Sequence, residues 1–496
     1  MSYRKILVSV TKLVAVSLFS ICGIGSLNGS SEKPRIIVTT DITNEPDDQE
    51  SLVRLLTYSN EYDIEGLIGS TGIWKLMDPA TEVIHDCIDA YAKVHDNLLL
   101  HSPDYPTAEY LRSITITGNR GYGMSAIGHR GMSSEGHRGS PGANLIIEAV
   151  DKDDSRPVWL LAWGGTNTIA QAIWTVRRTR SPEELEEFLG RIRVYDLAGQ
   201  DDSGAWMANR FPDLFYIRNV LIYKGMSFKF SAKDTWDETR GGDESVVTRD
   251  WVSKNIQKKH GPLGKVYPDA LHIWEGDTPT YFYLMPNGLN DPEKPWQGSW
   301  GGMFGREKQK NVNIVAQEYA GAPCSRGGCW VNEEPYLDYW MYADAEDKWE
   351  YGEGIYDNTW CSIFRWRTDF QNDFAARMDW CVKSYADANH NPVAVVNGDE
   401  SKKVLYLEAK VGEAVTIDSS GSLDPDGDSM SYNWWVYERA GTYTGKVEVT
   451  EPNASSVCVR VPHDAVGKTI HVILTLRDSG TPQLTSYRRV VITGVR

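Results

Sequence analysis

The sequence predicts an α/β domain built on a mostly parallel sheet with helices on both faces, followed by a β-sandwich domain. Between residues 35 and 223, short β-branched runs alternate with amphipathic stretches, as in parallel sheets covered by helices. After residue 390 the pattern changes to short strands separated by turn residues, which is typical of a β-sandwich. The 496 residues are enough for two or more domains.

The strands and helices of the first domain follow from hydrophobic periodicity. RIIVT (35–39) is a continuous apolar run, as expected of a buried strand, and QESLVRLLTYS (49–59) places its leucines on one helical face. The same reasoning predicts strands at 64–71, 158–163, 191–199 and 214–223, and helices at 79–94 and 369–388. Because the carboxyl ends of parallel strands meet at one edge, we expect the ligand site there.

The segment NHNPVAVVNGDES (389–401) predicts a linker, which places the domain boundary near residue 390. We therefore expect a leader at 1–30, a catalytic domain at 34–388 and a sandwich at 391–496, with few contacts across the linker. Strands of the last domain are predicted at 414–421, 431–438, 455–462, 469–480 and 486–494. Trp434 and Trp435 alternate across one of them, so at least one is expected in the core.

The N-terminus has the order of a secretory signal peptide: basic residues, an apolar run at 13–25, then small polar residues. This run is shorter than the ~20 residues that a membrane-spanning helix needs. The sequence thus predicts a secreted or periplasmic protein without a membrane span. Lipoprotein anchoring through Cys22 is the less favoured alternative, because Ile21 is bulkier than the residue that processing prefers.

Export to an oxidising compartment allows disulfide bonds. Six cysteines follow Cys22. Cys324 with Cys329, and Cys361 with Cys381, are the candidate pairs, although spacing alone does not establish connectivity.

The composition bears on the class of partner. There are 51 Lys and Arg against 68 Asp and Glu, a net charge of −17, so the protein's field repels nucleic acid and anionic lipid. It also has 18 Trp and 11 Phe, an unusual ratio for a core that needs only apolar volume. Stacking of indole faces on a carbohydrate is one explanation, and burial of Trp in a large α/β domain is the other. The oligomeric state does not follow from the sequence.

The segment TTDITNEPDDQES (39–51) concentrates acidic side chains at the end of the first predicted strand. Asp41, Glu45, Asp47 and Asp48 put four carboxylates within eight residues, where their repulsion is costly unless a cation or protons neutralise them. A hard divalent cation with oxygen ligands meets this need. The alternative explanation needs no metal: Asp47 and Asp48 can begin a helix, whose dipole favours negative charge at that end. It accounts for two of the four acids.

This segment resembles the aspartate-rich signature of nucleoside hydrolases. Its TD…PDD form is more similar to a secreted, nucleoside-hydrolase-like family described as cellulose-binding, which has an Ig-like domain behind the hydrolase-like one. The resemblance covers about residues 34–390 and the C-terminal domain. It implies a nucleoside-hydrolase-like fold and a bound Ca²⁺. Asp41 would be metal ligand and general base, Asp48 a metal ligand, and Asp47, together with Glu45, a binder of the substrate's hydroxyls.

Two later segments complete the implied calcium site. WGGTNTIAQAI (163–173) is similar to the family's glycine turn, where a backbone carbonyl binds calcium, here that of Thr166 or Asn167. On its residues alone, this segment is equally a strand-to-helix turn with an N-cap. EGDTPTYF (275–282) resembles the late segment whose aspartate closes the metal site, and Asp277 has that position. A plain turn before Thr-Pro is the alternative.

Three features differ from nucleoside hydrolases. The spacer within the aspartate segment is two residues longer, and Thr39 replaces an acid. Gly276 stands where those enzymes have a His that helps the base leave. The leaving-group acid is therefore unassigned, with Glu275 and His272 as candidates.

Further polar segments offer candidates for substrate binding. GQDDSG (199–204) follows a predicted strand, and its Asp201 and Asp202 are expected to bind sugar hydroxyls or to raise one another's pKa so that one acts as an acid. A solvated turn is the alternative. The glycine-rich stretch 117–143 predicts a loop over the site. It contains His129, Glu135 and His137.

In the C-terminal domain, SSGSLDPDGDSMSYNWW (419–435) resembles the turn and strand of polycystic-kidney-type or cadherin-like Ig modules. Asp424, Asp426 and Asp428 alternate as calcium ligands do. The same residues also form a good β-turn without a metal.

Three functions from different classes fit these features. The favoured one is a secreted, calcium-dependent glycoside hydrolase that cleaves an O-glycosidic bond of an oligo- or polysaccharide by attack of a metal-bound water, with Asp41 as base. The second is a nucleoside N-ribohydrolase, which the missing His and the longer aspartate segment weaken. The third is a non-catalytic cellulose- or carbohydrate-binding protein with the same fold, against which the retained aspartates argue.

Overall fold

The computed structural model describes residues 32–127, 139–227, 241–270, 273–309 and 339–496. Within these ranges, the strands of the first sheet are β1 (Arg35–Thr40), β2 (Asp63–Gly69), β3 (Thr115–Thr117), β4 (Val158–Ala162), β5 (Ile192–Leu197), β6 (Phe215–Asn219), β7 (Phe304–Gln309) and β8 (Tyr339–Asp344). Their order is β3-β2-β1-β4-β5-β6-β8-β7. Neighbours pair in parallel except β7 with β8, which confirms the predicted mostly parallel sheet.

Helices cover both faces of this sheet. They are α1 (Pro46–Thr57), α2 (Thr81–Ala92), α3 (His95–Leu98), α4 (Ala108–Ser113), α5 (Pro141–Val150), α6 (Asn167–Thr179), α7 (Pro182–Gly190), α8 (Ser203–Arg210), α9 (Arg249–Val252), α10 (Gly261–Lys265), α11 (Pro279–Phe282), α12 (Cys361–Phe364) and α13 (Arg367–Trp380). In β1, Ile36 and Val38 enter one hydrophobic core and Ile37 enters the other. Two covered faces explain why the strand is a continuous apolar run.

The C-terminal region is a β-sandwich, as predicted. A hairpin of β9 (Asp347–Tyr351) and β10 (Gly354–Asn358) precedes α12. The sandwich strands are β11 (Leu405–Lys410), β12 (Ala414–Asp418), β13 (Ser431–Val436), β14 (Glu448–Thr450), β15 (Ser456–Arg460), β16 (Thr469–Arg477) and β17 (Thr485–Val495). Their two sheets have the orders β11-β17-β16-β13 and β12-β15-β14. Trp434 is buried in the shared core, and Trp435, on the opposite face of β13, is half-buried.

The expectation that few contacts cross the linker is wrong. The buried Arg489 guanidinium of β17 donates to the carbonyls of Gln297 and Gly298 at 2.7 and 3.1 Å. The Tyr437 hydroxyl donates to Asp347 at 2.7 Å, and its ring belongs to the hydrophobic core of the first domain. Residues 31–496 form one compact unit. The composition of the linker indicated a bend, but it did not show which side chains of the sandwich would contact the first domain. The domain boundary near residue 390 stays a prediction.

The DPDGD segment forms a turn through its own side chain. One oxygen of Asp424 accepts the backbone N–H groups of Asp426 and Asp428, both at 2.9 Å, and Gly427 has a positive φ. The Asp426 carboxylate contacts the His390 ring at 3.0 Å. These contacts match the predicted β-turn, and calcium binding by these aspartates stays a prediction.

The expected pairing of Cys361 with Cys381 is wrong, because both are free and buried. Cys361 begins α12, and its thiol donates to the Asp347 carbonyl at 2.9 Å, whereas Cys381 follows the end of α13. Cys324 and Cys329 lie outside the described residues.

Among the described helices, none has the length and apolar character needed to span a bilayer. The expected leader at 1–30, with Cys22, lies outside the described residues.

Candidate metal and substrate site

Three aspartates converge at the carboxyl edge of the sheet. One carboxylate oxygen from each of Asp47, Asp48 and Asp277 lies within 4.8 Å of the others. The first two enter because α1 begins at Pro46 directly after the β1 loop, which places them in its first turn. Asp277 stands in the turn before α11. Asp48 and Asp277 are buried, and Asp47 is half-buried.

Asp41, at the end of β1, lies beside this triplet but is not part of it. It is buried, and its Oδ2 has no hydrogen-bond partner among the residues that the structure describes. The same is true of Oδ2 of Asp277. The Thr40 hydroxyl donates to Asp48, which satisfies part of that carboxylate. Buried oxygens without partners are costly, so two of the four carboxylates have capacity for a ligand.

The electrostatics of the cluster favour a cation. Burial raises the pKa of Asp41 to about 7, and the charge of Asp47 adds to the effect. Burial, reinforced by the neighbouring carboxylates, also raises the pKa values of Asp47, Asp48 and Asp277 well above the ordinary range. All donors are carboxylate oxygens, the ligand type that Ca²⁺ prefers. The residues present therefore fit a hard divalent cation.

Glycines let the backbone approach these carboxylates. A Cβ at Gly164 would lie 2.6 Å from Oδ1 of Asp41, and one at Gly276 would lie 2.6 Å from Oδ2 of Asp47. A side chain at position 276 would require the Asp47 carboxylate to move from its present position.

Thr166 and Asn167 stand where β4 gives way to α6, as the sequence predicts. The Thr166 hydroxyl and the Asn167 N–H each donate to Asp201 at 3.0 Å. The Thr166 carbonyl accepts the Ala170 N–H at 2.9 Å, so it is used within the helix. These contacts match the strand-to-helix turn, and calcium binding by either carbonyl stays a prediction.

Asp201 and Asp202 are both hydrogen-bonded within the protein, and sugar binding by them stays a prediction. Asp201 is buried and also accepts the Ser203 N–H at 2.9 Å, so both of its oxygens have donors within the protein. Asp202 accepts the Met124 N–H at 2.9 Å. Both aspartates thus connect loops at the sheet edge, a structural role that the solvated turn did not anticipate. The loop candidates His129, Glu135 and His137 lie outside the described residues.

Glu275 does not fit the role of leaving-group acid. It is buried, forms an ion pair with Arg54 at 2.8 Å and accepts the Tyr267 hydroxyl at 2.6 Å. Its carboxylate is therefore already paired within the core. The other candidate, His272, lies outside the described residues.

Sequence reasoning missed the loop after β2. The Lys75 ammonium donates to the Ile42 carbonyl at 2.6 Å, and its charge opposes the raised pKa values of Asp41 and Asp48. In the same loop the side chain of Trp74 is 51% exposed. The sequence IWKLM could have indicated this part of the site, because two large apolar residues flank a lysine just beyond the end of a strand.

Sequence comparison identifies two matching family models. Residues 35–304 match "Cellulose-binding Sde182, nucleoside hydrolase-like domain", and residues 414–494 match "Cellulose-binding protein Sde0182, C-terminal domain". No curated protein matches the chain.

Among solved structures, a nucleoside hydrolase-related hypothetical protein from Saccharophagus degradans, associated with carbohydrate metabolism, is 43% identical. The match covers 94% of this chain and 100% of that one, with a TM-score of 0.78. The PKD domain from KIAA 1837 protein is 23% identical over 18% of this chain and 81% of that one. Its TM-score is 0.14, which does not establish a shared fold. The fold is thus nucleoside-hydrolase-like, and the chain belongs to the cellulose-binding, nucleoside-hydrolase-like family that the Sde182 model describes.

Proposed function

We propose that this protein is a secreted, calcium-dependent glycoside hydrolase that cleaves an O-glycosidic bond of an oligo- or polysaccharide. The observation that supports it most is the convergence of Asp47, Asp48 and Asp277 on one point, with the buried Asp41 and its unpartnered oxygen beside them. The family's description as cellulose-binding and the relative's association with carbohydrate metabolism favour a carbohydrate substrate.

Asp41, Asp48 and Asp277 would hold the calcium ion, together with a carbonyl of Thr166 or Asn167. When bound, the ion would neutralise the carboxylates and lower the pKa of a coordinated water. Since Asp47 offers an oxygen within the same triplet, it has access to both the ion and the substrate.

The chain's own residues have separate tasks in the reaction. Glycosidic cleavage passes through a sugar with oxocarbenium character, whose positive charge nearby carboxylates stabilise. Asp41, at the carboxyl end of β1 and with an oxygen left for a ligand, takes the proton from the attacking water. Asp47, which is half-buried, and Glu45 beside it accept hydrogen bonds from the substrate's hydroxyls. The C–O bond to the leaving group breaks as water adds, and the leaving oxygen takes its proton from solvent because no acid of the chain is assigned to it. A single displacement by water inverts the anomeric configuration.

A non-catalytic carbohydrate-binding protein is the second candidate, and the family's description favours it. Nucleoside N-ribohydrolysis has less support, because the position of the expected His is occupied by Gly276, packed against Asp47. The candidates differ in a measurable property, since a binding protein gives no turnover with any substrate.

Substitution of Asp41 by Asn tests the proposal. The variant keeps the side-chain shape and removes the base, so the rate should fall by about 10²- to 10⁴-fold with a smaller change in substrate binding. Aryl furanosides, aryl pyranosides, plant polysaccharides and nucleosides are assayed with calcium, using exposed Asp153→Asn as control. Full activity of Asp41→Asn would contradict the assignment of the base. Turnover of nucleosides alone would contradict the substrate class, and binding without turnover would establish the second candidate.

A further inference from the structure

A cleft of about 550 Å³ lies where the β9–β10 hairpin, the α12–α13 junction and the sandwich strands β13 and β16 meet. Trp349 lines it from the hairpin and Trp435 from β13. The rim residues Lys348, Glu350 and Glu438 are exposed, so the cleft opens to solvent. Its lining includes none of the aspartates of the metal site. Its volume is within the range of about 300–1,000 Å³ typical of small-molecule sites.

Both indoles are held in place while remaining partly accessible. Trp349 is half-buried and stacks on Tyr351, with ring centroids 4.8 Å apart and planes at 24°. Trp435 is half-buried and donates its ring N–H to the Thr475 hydroxyl at 3.1 Å. The Arg365 guanidinium lies over its ring, 4.7 Å from the centroid, so its edge and not its face is turned to the cleft. Side chains that are already ordered lose little conformational entropy when a ligand binds.

The arginines of the cleft are paired with acidic side chains of the protein. Each of the three arginines in the lining has an acidic partner: Arg365 with Asp347 at 2.7 Å, Arg439 with Asp357 at 2.7 Å, and Arg477 with Asp369 at 3.2 Å. An anionic ligand would have to compete with these carboxylates for the guanidinium groups. A neutral ligand with many hydroxyl groups can bond the remaining lone pairs and N–H groups without breaking an ion pair.

We propose that this cleft binds a neutral oligosaccharide, with a sugar ring stacked on Trp349, the edge of Trp435 forming the opposite wall, and hydroxyls bonded to the charged rim. Sugar rings combine a flat apolar face with polar edges, which matches indoles set among paired charges. Because Trp349 and Trp435 come from different domains, the site exists only when the sandwich is docked. It is a second carbohydrate site, and it does not depend on turnover at the aspartate cluster.

Calorimetric titration with cellohexaose, a neutral linear oligosaccharide, tests the cleft in the full-length protein. A chelator in the buffer removes any contribution of calcium at the aspartates. Trp349→Ala and Trp435→Ala should each weaken binding about tenfold or more, as for buried aromatic contacts worth over 1 kcal/mol. Trp296→Ala is the control, since this Trp is 44% exposed and does not line the cleft. Trp349 also packs against Phe364 at 6.0 Å, so the melting curve of each variant is recorded and the titration is run at a temperature where the variant is folded.

Asp47→Ala separates the two sites. Retained binding in Asp47→Ala, with loss in Trp349→Ala, supports the cleft whatever the result of the turnover assays. Loss in Asp47→Ala with wild-type affinity in Trp349→Ala would overturn it, because the sugar would then bind at the aspartates alone. Absence of binding to the wild type, or tighter binding of a sulfated oligosaccharide than of the neutral one, would also overturn it.

Discussion

Replacing Asp277 by Asn should raise the melting temperature of the calcium-free protein and abolish its stabilisation by calcium. Burial and the neighbouring carboxylates raise the pKa of Asp277 above its value in the unfolded chain. A carboxyl group with a raised folded pKa destabilises the fold once pH exceeds the unfolded value. The benefit of Asn should therefore be absent below about pH 4 and increase as the pH rises towards 8.

The size of the calcium effect follows from linkage. Calcium at one hundred times its dissociation constant stabilises the folded state by about 2.7 kcal/mol. The compact unit has about 465 residues, and an unfolding entropy of ~2.1 cal/mol/K per residue gives roughly 1 kcal/mol/K. The wild-type melting temperature should then rise by about 3 °C, whereas Asp277→Asn should show almost no shift.

Differential scanning calorimetry at pH 5, 7 and 8, with a chelator and with calcium, measures both quantities. Exposed Asp153→Asn makes the same change of charge away from the cluster and should respond to calcium as the wild type does. An unshifted wild type, or a variant that gains the same 3 °C, would refute the metal site. A calcium-free variant less stable than wild type at pH 8 would refute the electrostatic argument.

Three further predictions concern other parts of the molecule. Trp74→Ala should raise KM for the sugar about tenfold with little change in stability, because this exposed side chain lies in the loop that contacts the aspartate site. Steady-state kinetics of this variant are compared with those of Trp340→Ala, which removes another exposed Trp. Burial and the charge of Arg489 lower the pKa of His471 to about 3, so the unfolded chain takes up this proton first as the pH falls. The free energy of unfolding should therefore fall by about 1.4 kcal/mol per pH unit below pH 6. In His471→Gln, urea titrations at several pH values should show a weaker dependence of this free energy on pH. A chain ending at Ala388 should aggregate, and a soluble monomer in gel filtration would contradict the extent of interdomain packing.

The layout of the first domain was predictable because its strands are buried on both faces. Such strands are unbroken apolar runs, and β1, β4 and β5 lie where periodicity placed them. The apolar run 214–223 was predicted as one strand, but β6 ends at Asn219 and a short helical turn buries Ile222. A buried turn and a buried strand have the same apolar composition. The β9–β10 hairpin was missed for the opposite reason, since its strands are short and largely exposed.

The aspartate site was partly predictable for a topological reason. Residues after parallel strands share one edge, so the acids that follow β1 could be placed there from the sequence alone. The sequence could not show that Asp47, Asp48 and Asp277 form the triplet. Which carboxylates meet depends on the residue at which α1 begins and on the turn at Gly276. The hydrogen bonds to Asp201 could not be predicted either, because their donors Thr166 and Ser203 come from two different loops.

The sandwich also supports the turn that positions Asp277. Tyr487 of β17 contacts Trp300 edge to face at 6.3 Å, and Trp300 packs against Phe282 at 5.3 Å. Phe282 is the last residue of α11, the helix that follows the turn containing Asp277, and it is fully buried. Removing Tyr487 would leave a cavity beside Trp300, and close-packed cores relax only partly around a cavity. The C-terminal domain is therefore part of the packing that holds a predicted metal ligand in place, which a flexibly tethered accessory module would not be.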